Sequence, residues 1–444
     1  MARRRAGRGM ARTGWIAVAL ATALMGCAER EIVLTGERLD LRADLSSEAA
    51  ADSAPPPPLS LAAPVNVAEW THKALNPLHA QPHLAFAAMP SLRWTASVGT
   101  GEGRKHRISA DPVVAGGRIF TVDSRALVSA VSTAGGTLWA RDLTPAGDSS
   151  DDASGAGLAA DGGRLYVGTG FGDLWALDAA TGAVIWRQEL DAAVSGAPTV
   201  VDDLVYVVTR DGTAWAVETD DGRIRWTLAG TDDAAGVVGG AAPAVTERLA
   251  ILPFSSGEIV AALRQGGTQV WKTNVVGERL GKVYAAFGDI AGDPVVSGDR
   301  IFAGNPSGRI NAVDLATGAQ LWSTRDGAMS PVVVAGGSVF AVTDLAELIR
   351  LDAATGERLW GRELPFFEKA RIRRRKDVFA HYGPVLAGGR LWVASTDDTL
   401  RAFDPATGAL LATVPLPGGA TTNPVVVGGT MYLVNTKAQL LAFR

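Results

Sequence analysis

Gly162-Gly163-Arg164-Leu165-Tyr166-Val167 is followed by Gly172-Asp173-Leu174-Trp175-Ala176-Leu177-Asp178, then Thr181-Gly182, then Val184-Ile185-Trp186. The stretch reads as short strands separated by turns. In Leu165 to Val167 and Leu174 to Leu177 apolar residues fill a few positions bounded by Gly and Asp, as expected of strands buried between neighbouring sheets. The Asp-x-x-Thr-Gly step reads as a hairpin. Its carboxylate and hydroxyl can bond local backbone amides, and the glycine supplies a residue with positive φ.

The pattern recurs, and the closing tryptophan gives its period. Trp94, Trp139, Trp186, Trp226, Trp271, Trp322 and Trp360 are separated by 45, 47, 40, 45, 51 and 38 residues, and the next position in register is Ala412, after Thr407-Gly408. A last copy, from Pro424 to Phe443, ends before any tryptophan strand, whereas Leu92-Arg93-Trp94-Thr95 at the other end has a strand without a copy. The count predicts an all-β fold: an eight-bladed β-propeller over residues 90–444, closed by the N-terminal strand completing the last blade. Closure is favoured because an open row would leave an apolar sheet face in water at each end. The seven tryptophans are read as packing between blades; a stacking platform for a planar ligand is the alternative.

Residues 1–26 hold five arginines and no acid, followed by an apolar run from Trp15 to Gly26. That run suits a signal peptide and falls short of the roughly 20 residues that span a bilayer. It ends in Leu24-Met25-Gly26-Cys27, which resembles a bacterial lipobox and implies cleavage before Cys27 and lipidation of its thiol. Ala28 in place of Asp implies sorting to the outer membrane, facing the periplasm. Residues 27–89 read as a largely irregular tether, with Ala/Pro-rich sequence and Pro55 to Pro58 in a row. Its His72, His79 and His83 are read as packing or surface histidines, since only Glu69 stands near as a carboxylate.

Composition narrows function. Of 444 residues 47% are apolar and 20% charged, so the chain folds, and beyond residue 26 its net charge is −9, which argues against nucleic acid as a partner. A single cysteine makes no intramolecular disulfide and no haem attachment or zinc cluster. The sequence lacks a Gly-x-Ser-x-Gly, a His-Glu-x-x-His and a P-loop. Asp289 or Asp293 as a base beside a calcium ion has no supporting Glu/Asn/Asp constellation. The expectation is no enzyme, no cofactor and no metal.

The Gly-Gly-x-Leu-Tyr-Val, Leu-x-Ala-Leu-Asp-x-x-Thr-Gly and Leu-x-Trp elements resemble the pyrroloquinoline-quinone-type propeller repeat. That scaffold carries both quinoprotein dehydrogenases and non-catalytic proteins. The dehydrogenases, the competing reading, are similar in repeat but normally longer, with a vicinal cysteine pair beneath the cofactor. Lipobox, tether and eight such blades together resemble the BamB family of the β-barrel assembly machinery, in its alphaproteobacterial form. Thr71-His72-Lys73, Arg104-Lys105-His106-Arg107-Ile108 and His381-Tyr382-Gly383-Pro384 add to the likeness. The resemblance implies a scaffold in the Bam complex that aids outer-membrane protein assembly and contacts a POTRA domain of BamA through two loops between blades. Unfolded outer-membrane clients are a further implied partner, received on an exposed sheet edge.

In this sequence the first loop is 232–243, with Val237, Val238, Gly239 and Gly240, and the second is 288–293, with Asp289, Ile290 and Asp293. Val237 and Val238 stand where the better-known pattern has leucine and arginine, so the arginine contact is absent. The alternative for both loops is structural: Gly-Val-Val-Gly entering a strand and Asp289 capping its own turn. Residues 366–376, from Phe366-Phe367 to Arg373-Arg374-Arg375-Lys376, form a basic insertion suited to phosphate, anionic lipid or an acidic partner, or simply to water.

Overall fold

The computed structural model describes residues 57–231, 239–277, 288–369, 371, 373 and 375–444. Cys27, residues 1–26 expected to be a signal peptide, and Val237 and Val238 lie outside the described residues. The fold is all-β: strands of two to seven residues form eight four-stranded antiparallel sheets. In chain order, blade 1 covers 113–142, blade 2 156–189, blade 3 199–229, blade 4 244–274, blade 5 292–324, blade 6 333–363 and blade 7 381–415. Blade 8 takes three strands from 425–443 and its outermost strand from Leu92–Ser97, where Trp94 lies opposite Ala442.

The repeat residues account for the seams. Each tryptophan lies on a fourth strand opposite a third-strand residue that is usually Ala, as in Ala176 with Trp186 and Ala312 with Trp322, and a register shift follows the pair. The small partner makes room for the indole, which leans on the next blade. Trp322 Nε1 donates to the Ala353 carbonyl at 3.1 Å and Trp186 Nε1 to that of Thr219 at 2.8 Å, and Trp94, Trp139, Trp226, Trp271 and Trp360 do the same. The ring lies over the glycine of the neighbour's Asp-x-x-Thr-Gly turn. A Cβ on Gly356, where φ is +75°, would stand 2.6 Å from Trp322 Cε3. The turn is built as its residues require: Asp352 Oδ1 accepts from the N–H of Ala354 and Thr355 and from the Thr355 hydroxyl. Blade 6 departs from the pattern: the residue opposite Trp360 is Arg350, buried, donating to Ser338 Oγ and to the Ala406 carbonyl.

The described part of the expected tether is largely irregular, yet it is docked on the ring. Leu59 and Leu61 pack into the seam between blades 6 and 7. From there the segment meets the end of each innermost strand in turn. Leu84 exchanges backbone hydrogen bonds with Leu386 and Gly388 of blade 7, Val67 accepts from Gly428 of blade 8, and Trp70 and Val114 of blade 1 exchange two. Thr71 accepts from Ala160 of blade 2, Pro77 from Val245 of blade 4 and Leu78 from Val296 of blade 5. His72 meets Val200 of blade 3. Trp70 and Leu84 are buried within the core formed by blades 7, 8 and 1. A composition that alone would stay extended is captured here because the inner strands leave backbone groups unpaired at their ends and the strap satisfies them.

Every one of these contacts lies at or beside the hairpin joining the first strand of a blade to its second. By antiparallel alternation the Asp-x-x-Thr-Gly turns share that face, and the connections between blades lie on the other.

Candidate functional site

Two places in a propeller are available for function: the central channel and the loops at its rims. Here the channel is filled by the chain itself. Lys73 reaches from the strap to Asp293 at 3.2 Å, with both side chains almost wholly enclosed. Asp293 also accepts from the Ala242 N–H at 2.6 Å. Asp111 accepts from both the backbone N–H and the side-chain amide of Asn423 at 2.8 Å, and Asn423 Oδ1 accepts from the Gly383 N–H. Burial pulls the Lys73 ammonium pKa down, but Asp293 and Asp111 more than reverse this and hold it above its ordinary value. Burial raises the Asp111 carboxyl against the pull of Lys73 and Asn423.

The strap histidines are held by hydrogen bonds within the chain. His72 Nε2 accepts from the Val200 N–H at 3.1 Å or, in the other tautomer, donates to the Val200 carbonyl at 3.0 Å, while Nδ1 lies 2.8 Å from Thr71 Oγ1. Burial holds its pKa down at about 3, so the ring is neutral. His79 Nδ1 meets the Pro294 carbonyl at 2.9 Å, and burial lowers its pKa as well. Among the described residues no group of three His, Cys, Asp or Glu side chains is placed to hold a metal.

The interblade loops are joined at their inner ends. The Ala241 N–H donates to the Ile290 carbonyl, and Asp293 ties the second loop to Ala242 of the first. Gly239, at φ +84°, is half-buried with Ser109 3.0 Å from where a Cβ would be, and Gly240 is buried. Ile290 is fully enclosed in the core of blades 4 and 5, and Asp289 and Asp293 are buried. Of the residues expected to meet a partner, these three have internal positions: Ile290 faces the apolar seam and Asp293 neutralises Lys73. Sequence reading missed the other half of that pair. Lys73 lies in Thr71-His72-Lys73, but nothing local ties it to an aspartate 220 positions further on.

The geometry defines a class: an eight-bladed propeller of the quinone-type repeat whose axis is occupied by its own N-terminal strap. The family model described as outer membrane protein assembly factor BamB matches residues 124–362 and 371–444, and the chain belongs to that family. Relatives of that name from Yersinia pestis and Shewanella oneidensis are 29% and 27% identical over 254 residues, which is 55% and 53% of this chain. The matched stretch spans 63% and 61% of those relatives' own length. In fold, the chain is similar to the crystal structure of BamB from Moraxella catarrhalis, with a TM-score of 0.66 and 20% identity, over 80% of this chain and all of the other. It is equally similar to quinohemoprotein alcohol dehydrogenase from Comamonas testosteroni, at TM-score 0.67 and 15% identity, over 90% of this chain and 83% of that one.

The second likeness raises the question of a quinone cofactor in the channel. The residues present do not fit one. Trp70, Lys73 and His79 occupy the region where the blades converge, and Asp111, Asp293 and Asn423 are engaged with one another and with the strap.

Proposed function

We propose that this protein is a non-catalytic scaffold of the outer-membrane β-barrel assembly machinery. In this reading acyl groups on Cys27 hold it to the periplasmic face of the outer membrane, and it aids the folding and insertion of outer-membrane proteins. It binds the POTRA region of BamA through the loops 232–243 and 288–293. Val237 and Val238 supply desolvated apolar contact, and Asp289, Ile290 and Asp293 hold the loop bases from within. Clients add as strands to the outer edges of the blades, where Leu138, Ile185, Val270, Leu321 and Leu411 are exposed.

The observation that carries the reading is the filled channel. With the axis occupied by Lys73, paired to Asp293 at 3.2 Å, binding is left to the rims and edges of a rigid ring. Family membership supports BamA as the partner. Co-purification of BamA with the tagged chain from membranes tests it: Val238→Glu is expected to reduce recovered BamA severalfold with an unchanged melting temperature. Unaltered recovery overturns the assignment of the first loop.

A further inference from the structure

The described ends of the insertion between blades 6 and 7 pair as the stem of a hairpin. Phe367 and Val378 form an antiparallel bridge, the Glu368 N–H donates to the Asp377 carbonyl, and the Phe379 N–H donates to that of Phe366. Phe366 anchors it by packing against the seam of blades 6 and 7 and meets Phe367 edge-on, with ring centres 4.7 Å apart. Phe367 turns outward at 38% exposure beside Val378 at 50%, and the Arg375 guanidinium lies 4.8 Å from the Phe367 ring centre.

Its charge runs against the rest of the chain. Residues 366–379 carry six cations and two anions, a net +4, and without them the −9 of residues 27–444 becomes −13. Lys369, Arg371, Arg373, Arg375 and Lys376 are exposed, and among the described residues none of them forms an ion pair with a carboxylate. Elsewhere on the surface cations are commonly paired, as Arg187 is with Asp173, Arg264 with Asp202 and Arg401 with Asp397. An exposed cationic array without carboxylate partners among its described residues, with an exposed aromatic and an exposed valine beside it, matches a surface that offers phosphate groups above an apolar layer.

We infer that this hairpin docks on an anionic lipid surface, its arginines and lysines on headgroup phosphates and Phe367 with Val378 at the acyl boundary. An acidic protein would satisfy the cations but leaves the exposed apolar pair unexplained. The contact is separate from any acyl anchor and lies on the face of the ring opposite the strap.

The test uses residues 27–444 with Cys27→Ser, so that no acyl chain contributes, floated with phosphatidylcholine vesicles made with and without phosphatidylglycerol. Binding is expected only to the anionic vesicles, falling about fivefold for each charge removed in the series Arg371→Gln, Arg373→Gln and Arg375→Gln, and fading as salt is raised. Phe367→Ser should weaken binding while leaving its salt dependence in place. Arg104→Gln with Lys105→Gln, at another exposed basic site, should change nothing. Equal flotation with both vesicle types, or equal binding of the triple variant with its melting temperature intact, overturns the inference. Retention on polyglutamate resin without vesicle binding also overturns it and assigns the hairpin to an acidic protein.

Discussion

Replacing Lys73 by Met removes one charge from the middle of the ring while keeping most of the side chain's apolar volume. The ammonium lies 3.2 Å from Asp293 Oδ2, with side-chain exposures of 10% and 0%. At an effective dielectric near 20 that separation corresponds to an attraction of about 5 kcal/mol, set against the desolvation of both groups. Losing one partner of such a pair leaves a buried charge uncompensated, and Lys73→Met is expected to cost about 3–5 kcal/mol. Asp293→Asn in the same chain should recover most of that loss, because the amide can occupy the same space without a charge. The assay is urea unfolding at pH 7.5, run with amide exchange of residues 65–85, since undocking of the strap is the cheapest way to hydrate the carboxylate. A change under 1 kcal/mol with unaltered exchange in the strap would mean that the Lys73–Asp293 pair does not hold the strap in place.

Trp322→Ala should destabilise by about 3–5 kcal/mol in thermal or urea unfolding, since it empties a seam and removes the hydrogen bond to Ala353; an unchanged melting temperature contradicts the docking described. Gly356→Ala should also lower the melting temperature, because its Cβ meets Trp322 Cε3 at 2.6 Å on a backbone with φ of +75°. His72 has its pKa lowered from 6.5 to about 3, so the unfolded chain binds the proton more readily. Stability is therefore lost as pH falls from 6.5 towards 3, by on the order of 5 kcal/mol across that window, and His72→Asn should flatten this part of the pH profile.

What could be read from the sequence followed from how each feature is encoded. The blades were legible because their determinants are local and repeated: Asp352 and Thr355 make their own turn, and Trp322 recurs at a fixed place after it. The ring size followed from counting, and the missing eighth tryptophan strand stood visibly at Trp94. The strap was not legible. Trp70, Leu84 and Leu78 are isolated apolar residues in a Pro/Ala-rich stretch without period, and what docks them is largely backbone hydrogen bonding to inner strand ends, which no side-chain pattern records. The sequence groups Asp289, Ile290 and Asp293 in one loop, but Asp293 lies in the first strand of blade 5, and the burial of these residues depends on Lys73 and on the seam of blades 4 and 5, both remote in sequence. The basic insertion was visible as composition, while its hairpin form rests on the pairing of Phe367 with Val378.

In the proposed function this ring works by contact through the face carrying its interblade connections. Site-specific photo-cross-linking in intact membranes tests it most directly, with the probe placed at Thr231 and Val276 on those connections and at Asp220 and Gln265 on the strap face. Adducts with BamA are expected from Thr231 and Val276 and none from the other two. Adducts from Asp220 or Gln265, or none from Thr231 and Val276 while BamA still co-purifies, would contradict it.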